Sequence, residues 1–166
     1  LAAENARENG MEGRFSVTQG DIREIAALCP AGWADYVTAN PPYLRADCGK
    51  RNADFVKYAA FHEHFGSIDD FARAAAYLLG TGGAFFTVYR PDRLSRLLTA
   101  LSAAGLEPKR LRPVAADVLR APSLVLVESV KGAAEGMVYE KNLVIYRDSA
   151  HTQYTDELER IYHVFS

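Results

Sequence analysis

The sequence predicts an α/β layered domain: a Rossmann-like, largely parallel sheet with an antiparallel strand pair toward its C-terminal end. Three observations carry this. Strand-like and helix-like stretches alternate from Arg14 to Gly105. Two further strand-like stretches, Leu106 to Val114 and Ser123 to Val130, are joined by a short loop, which permits an antiparallel pair. The second of them is an almost continuous Leu/Val run, Leu124-Val125-Leu126-Val127, suited to a sheet interior.

The elements follow in order. Leu1 to Asn9 carries Ala, Glu and Arg without an N-cap or a preceding turn and then meets Gly10, a C-cap residue, so the chain is expected to begin inside a helix. Arg14 to Thr18 alternates Phe15 and Val17 with polar neighbours and reads as a short strand. Gly20-Asp21 ends it, and the apolar period of Ile22 to Leu28 predicts a helix. Trp33 to Ala39 is strand-like again and runs into Asn40-Pro41-Pro42-Tyr43, where two prolines forbid continuing a ladder or a helix. That tetrapeptide therefore belongs at a strand's carboxyl end. Ser67-Ile68-Asp69-Asp70, followed by Phe71, Ala74, Ala75, Leu78 and Leu79, predicts a capped amphipathic helix, with Asp70 replacing Glu in a capping box. Gly80-Thr81-Gly82-Gly83 is read as its stop turn and Ala84 to Tyr89 as a buried strand. Arg90-Pro91-Asp92 opens a helix with the apolar face Leu94, Leu97, Leu98 and Leu101, closing at Gly105. Met137 to Tyr146 reads as a strand or extended arm and Thr155 to Val164 as a terminal helix.

Composition bounds the function. The 166 residues are 49% hydrophobic and 24% charged, with 19 Lys+Arg against 21 Asp+Glu for a net charge of −2. This predicts one globular domain over 1–166, with 131–166 a C-terminal extension packed on it. No apolar run approaches the roughly 20 residues of a membrane helix, and nothing at the front reads as a signal peptide. Cys29 and Cys48 are too few for a disulfide framework and point to the reducing cytoplasm. A coat of basic residues for nucleic acid is excluded, whereas a local basic face is not.

In such sheets the ligand crevice lies outside the carboxyl ends of the strands, and Asp21 and Asn40 both fall there. Each residue type in Asn40-Pro41-Pro42-Tyr43 has a use in moving a group onto a planar amino nitrogen, whose delocalised lone pair makes it a poor nucleophile. The Asn40 side-chain oxygen and the Pro41 carbonyl can each accept one N–H, aiming the nitrogen at an electrophile. The prolines, Pro42 included, fix that carbonyl's direction. Tyr43 offers a flat surface for a base or amide, a contact worth about 1–3 kcal/mol per base in single-strand binders. The plainer reading of the same residues is a rigid strand-to-loop turn with a half-buried Tyr. Likewise Asp21, taken alone, is a turn-forming acid after Gly20.

These residues resemble the class I S-adenosylmethionine-dependent methyltransferases of amino nitrogens, whose Asn-Pro-Pro-Tyr box follows the fourth strand. Within that class the sequence is most similar to bacterial enzymes that N6-methylate an adenine in the anticodon loop of valine tRNA. The resemblance also runs through Gly20-Asp21-Ile22, the loop with Gly49 and Asn52, His62-Glu63, Tyr89-Arg90-Pro91-Asp92, Gly105 to Arg110, and Leu124 to Glu128 with Lys131-Gly132. It implies that Asp21 accepts a hydrogen bond from the cofactor's adenine amine, that Ile22 packs on the ring, and that Asn40 borders the cofactor. The box is shared with protein-glutamine and DNA-adenine enzymes; the Arg-Pro and Leu-Val-Glu stretches favour the tRNA branch. The methyl group of the cofactor already sits on a sulfonium, so the reaction needs no metal. His62, Glu63, His64 and Cys48 do not have the spacing of a zinc site, and a substrate-loop role fits His62-Glu63 better.

For an RNA substrate, Arg45, Lys50, Arg51, Arg110 and Arg112 are the expected phosphate contacts; as surface charges they are equally compatible with a solvated face. The family's glycine-rich loop after its first strand, and its acidic residue after the second, have no match here. Gly80 to Gly83 follows a helix, the reverse of the required order. The implied sheet order is 3-2-1-4-5 with an antiparallel seventh strand beside the fifth. The chain is accordingly expected to lack the first two strands and to be a fragment that does not bind S-adenosylmethionine measurably by itself. The gap between Arg14–Thr18 and Trp33–Ala39 would then be filled by upstream residues or by self-association with a second copy, or Arg14–Thr18 would have moved to pair elsewhere. The alternatives are N-methylation of a protein glutamine and a non-catalytic binding module.

Overall fold

The computed structural model describes residues 2–11, 13–41 and 66–164. Helix α1 (Ala2–Glu8) ends before Gly10, whose φ of +63° is the left-handed turn expected of a C-cap glycine. Asp21 starts a 3-10 turn (Ile22–Glu24) that runs into the single-turn helix α2 (Ile25–Leu28). Strand β1 (Ala34–Ala39) follows. Helix α3 (Ile68–Leu78) begins at Ser67 with the capping box the sequence predicts: Ser67 and Asp70 each bond the other's backbone amide. Then come β2 (Leu79–Tyr89), a 3-10 turn (Pro91–Arg93), α4 (Leu94–Ala103), β3 (Leu106–Ala115) and β4 (Leu124–Lys131). Two short strands, β5 (Val138–Tyr139) and β6 (Leu143–Val144), and α5 (Asp156–His163) complete the order.

The sheet order is β1-β2-β4-β3-β5, with β6 also on β3. β1 and β2 are parallel, while β4 lies antiparallel between β2 and β3. This is an α/β mixed sheet with the C-terminal antiparallel pair that the sequence predicts; among the described strands the two longest pairings, β2–β4 and β3–β4, are antiparallel. One face of the sheet is packed by α3 and α4: Phe85, Leu111 and Val127 meet Ala72, Leu97 and Leu101, all at 1% exposure or less. Alternation puts Phe86, Leu126 and Arg110 on the other face, where Phe86 and Leu126 are each 37% exposed.

Three expectations are corrected. Arg14 to Thr18 is not a strand: it runs in no ladder, and Phe15 and Val17 stay half exposed. Alternation supplies a strand's side-chain pattern, but a strand also needs a neighbour to bond. Gly80 to Gly83 is not a separate turn, because β2 already begins at Leu79, directly after the helix. Ala34 pairs with Leu79 and Tyr36 with Ala84, so the glycine run bulges out of the ladder between those pairs. Only glycine fits at Gly83, where a Cβ would stand 3.0 Å from the Gly80 carbonyl and 3.1 Å from that of Asp35. Finally, of the two readings of Met137 to Tyr146, the extended arm holds and the single strand does not. β5 pairs with Arg110 and Leu111, and β6 with Val114 and Ala115; Pro113 between them has no N–H to give a continuous ladder.

Candidate functional site

Asn40 and Pro41 sit where the sequence places them, at the carboxyl end of β1. The ladder runs to Ala39 opposite Thr87, so Asn40 lies beside the last turn of pleat in β2, ahead of Tyr89 and Arg90. Asn40 is exposed and Pro41 is buried. The chain is therefore pinned one residue beyond an exposed side-chain amide. Because β4 is antiparallel, its start at Leu124 and the end of β3 lie at this same end of the sheet, and Val114 pairs with Leu124 there. The loop 116–123 is thus a third wall at the crevice end. Pro42, Tyr43, Arg45, Lys50 and Arg51, with Cys48 and His62 to His64, lie outside the described residues.

Asp21 caps the 3-10 turn. Its carboxylate accepts from the Arg23 backbone amide at 2.9 Å and from Arg23 Nε at 2.9 and 3.0 Å. These bonds push the Arg23 guanidinium above its ordinary pKa. Ile22 lies against the start of α3, since a Cβ on Gly66 would be 3.1 Å from Ile22 Cγ2. The structure thus realises the turn-forming role of Asp21 and leaves its carboxylate a third exposed.

Arg110 and Arg112 are not at the crevice mouth but on the sheet face opposite α3 and α4. With Phe86, Val88, Leu126 and Glu128 they line a cavity of about 360 Å³. Both are held by carboxylates. Arg110 donates to Glu140 at 2.6 Å and Glu128 at 3.1 Å, and Arg112 to Glu157 at 2.6 Å. Among the described residues no group of three or more His, Cys, Asp or Glu is gathered to hold a metal ion, and no helix is long and apolar enough to cross a membrane.

One constellation escapes sequence reasoning. Asp117, in the loop 116–123, is 2% exposed. Its Oδ2 is 2.9 Å from His151 Nε2 and its Oδ1 accepts from the Leu119 amide at 2.8 Å. The His151 bond, against the opposing effect of burial and helped by Leu119, holds the Asp117 carboxyl below the usual carboxylate range. His151 has φ +58° and stacks on Tyr146 with ring centroids 4.7 Å apart. Acid and imidazole are 34 positions apart in sequence, so no local pattern announces the pair; the only trace is the adjacent apolar Val118-Leu119 in a loop.

Comparison with family models finds no match, and comparison with curated proteins finds none. Solved structures do match. A predicted O-methyltransferase from Agrobacterium tumefaciens superposes with a TM-score of 0.75 at 16% identity, over 98% of this chain and 69% of that one. A putative DNA modification methylase of Thermus thermophilus, complexed with S-adenosyl-L-methionine, gives 0.53 at 16% identity, over 89% and 72%. The 4+2 cyclase SpnF gives 0.55 at 15%, over 80% and 62%. The chain therefore has a class I methyltransferase-like fold and spans about two thirds of the length of these structures. A cyclase on the same fold means that the site, not the fold, must argue the chemistry.

Asp21 and the half-buried Ile22 are the pair that the resemblance sets against the adenine of S-adenosylmethionine. Both oxygens of the Asp21 carboxylate accept from Arg23, Oδ1 from the backbone amide and Nε and Oδ2 from Nε and Nη2, so an adenine amine would share them with that guanidinium.

Proposed function

We propose that the full-length protein carries out S-adenosylmethionine-dependent N6-methylation of an adenine in structured RNA, with tRNA the favoured substrate. The observation that supports this best is the placement of Asn40 and Pro41 at the carboxyl end of β1, with the amide exposed and the following proline buried. Bound S-adenosylmethionine would supply a methyl group on a sulfonium, held at its adenine end by Asp21 and Ile22. Asn40 Oδ1 and the Pro41 carbonyl accept the two hydrogens of the target amine, turning its lone pair out of the ring's conjugation. Pro42 stiffens that carbonyl, and Tyr43 stacks on the base, which has to leave its own stack first. Arg45, Lys50 and Arg51 contact phosphates; Arg110 and Arg112 join them by exchanging carboxylates for phosphates.

The test is methyl transfer from labelled cofactor to bulk tRNA, with the modified nucleotide mapped. Asn40→Ala should lower kcat by about 10²-fold while calorimetric affinity for S-adenosylmethionine stays near that of the wild type. Full activity in that variant would refute the roles given to the box. Label found on a protein glutamine instead of RNA would transfer the same chemistry to the other acceptor.

A further inference from the structure

The loop 116–123 presents an arrangement that packing alone does not explain. Val118 is 76% exposed and Leu119 83%, the highest value of any large hydrophobic among the described residues. Yet the loop beneath them is firmly mounted. Asp117 is buried and bonded to the Leu119 amide and to His151, and the Arg120 amide returns to the Asp117 carbonyl at 3.3 Å. From below, Ile145 and Tyr146 donate to the Ala115 and Ala116 carbonyls at 3.0 and 2.8 Å. His151 keeps φ +58° in this arrangement, a conformation unfavourable for a non-glycine residue and retained here by its surroundings. Two aliphatic side chains are thus held out into water at the same end of the sheet as Asn40. From β1 to β4 and β3 is two to three strand spacings, about 10–14 Å. Arg120, its side chain 68% exposed and its Nε 4.0 Å from Asp117 Oδ2, stands next to them.

We propose that Val118 and Leu119 form a wedge that enters the base stack of the RNA and holds it open while the target adenine is out, with Arg120 on a neighbouring phosphate. This rests on the RNA reading above and adds how the base is extruded. Apolar side chains inserted between base steps unstack them, and a base undergoing chemistry has to leave its stack. A wedge works only if its own position is fixed, and that is the role of His151: a positioning residue acting through Asp117.

The experiment uses the full-length protein and a tRNA transcript carrying 2-aminopurine at the mapped nucleotide, whose fluorescence rises on unstacking. The V118A/L119A variant alters only exposed side chains. It should lose the fluorescence rise and about 10-fold or more in kcat, with RNA affinity and cofactor affinity little changed. His151→Ala should do the same, and His151→Gln, which keeps a donor toward Asp117, should restore most of both. An unchanged fluorescence rise and kcat in V118A/L119A overturns the wedge, as does a loss of RNA affinity alone. A wild-type protein that methylates protein and not RNA overturns both this and the parent reading, and is told apart by the wild type's own inactivity on RNA.

Discussion

Gly66→Ala tests whether the turn ahead of α3 sets the position of Ile22. Gly66 has φ +99°, and a Cβ there would lie 3.1 Å from Ile22 Cγ2 and 3.4 Å from Asp70 Cβ. The backbone conformation costs an alanine about 1–2 kcal/mol. Crowding of Ile22 adds about 1 kcal/mol, the low end for overpacking. At about 2–4 °C per kcal/mol for a chain of this size, Tm should fall by about 4–12 °C. Gly82→Ala is the control: its φ is +82° but no atom lies within 4 Å of the new Cβ, so strain alone applies and the fall should be about 2–8 °C. Thermal denaturation gives both numbers, and calorimetric titration of S-adenosylmethionine into the full-length variants gives the functional one. Gly66→Ala should weaken cofactor binding and Gly82→Ala should not. Equal Tm shifts with equal affinities would refute the claim that Gly66 makes room for Ile22.

Other outcomes follow from the same structure. Ser67→Ala removes the side-chain half of the α3 capping box and should cost about 1 kcal/mol in urea denaturation. Burial resists ionisation of Asp70, but the Ser67 amide and hydroxyl and the nearby Arg73 outweigh it and hold its pKa below the usual carboxylate range. Its contribution is therefore complete above the unfolded-state value near 4 and is lost as pH falls through the lower folded-state value; Asp70→Asn should flatten the fall of Tm with acid below about pH 4. Ser129 Oγ is buried without a hydrogen-bond partner, so Ser129→Ala should leave stability unchanged or raise it by about 1 kcal/mol. Phe85, fully buried at the centre of the core, should cost about 3–5 kcal/mol when truncated to alanine.

How much of this was legible depended on whether a feature is local. The α3 capping box spans Ser67 to Asp70, and both partners are visible in one tetrapeptide. Asn40-Pro41 reads as a strand's carboxyl end because proline's missing donor is a property of the residue itself. The Leu/Val run of β4 announces a strand inside the sheet, but it buries only Val125 and Val127 and leaves Leu126 37% exposed, and its insertion between β2 and β3 is carried by the resemblance and not by the run. Arg14–Thr18 misleads because alternation describes side chains and says nothing of a bonding neighbour. The glycine run misleads in the opposite way: glycine permits a turn but here relieves close approach to the Gly80 and Asp35 carbonyls within a strand. Asp117 and His151 meet only through the path of the chain after β4, and beyond the apolar Val118-Leu119 nothing in either residue's neighbourhood foretells it.

The insertion of β4 between β2 and β3 also fixes an order of events during synthesis. β2 is complete at Tyr89, but the strand that bonds its second edge ends at Lys131, about 40 residues later, or about 2–8 s at ribosomal rates of about 5–20 residues per second. Through that interval the edge carrying Phe85, Phe86 and Val88 has no native partner, and β3 emerges before the strand that will separate it from β2. An open apolar edge is the template for wrong pairing, and contacts this distant in sequence form slowly. The β2 amides should thus gain hydrogen-exchange protection together with those of β4 rather than with α3, which precedes them. The folding of the crevice wall is gated by β4, the last long strand among the described residues, and the nascent chain's exposure to aggregation is set by that delay.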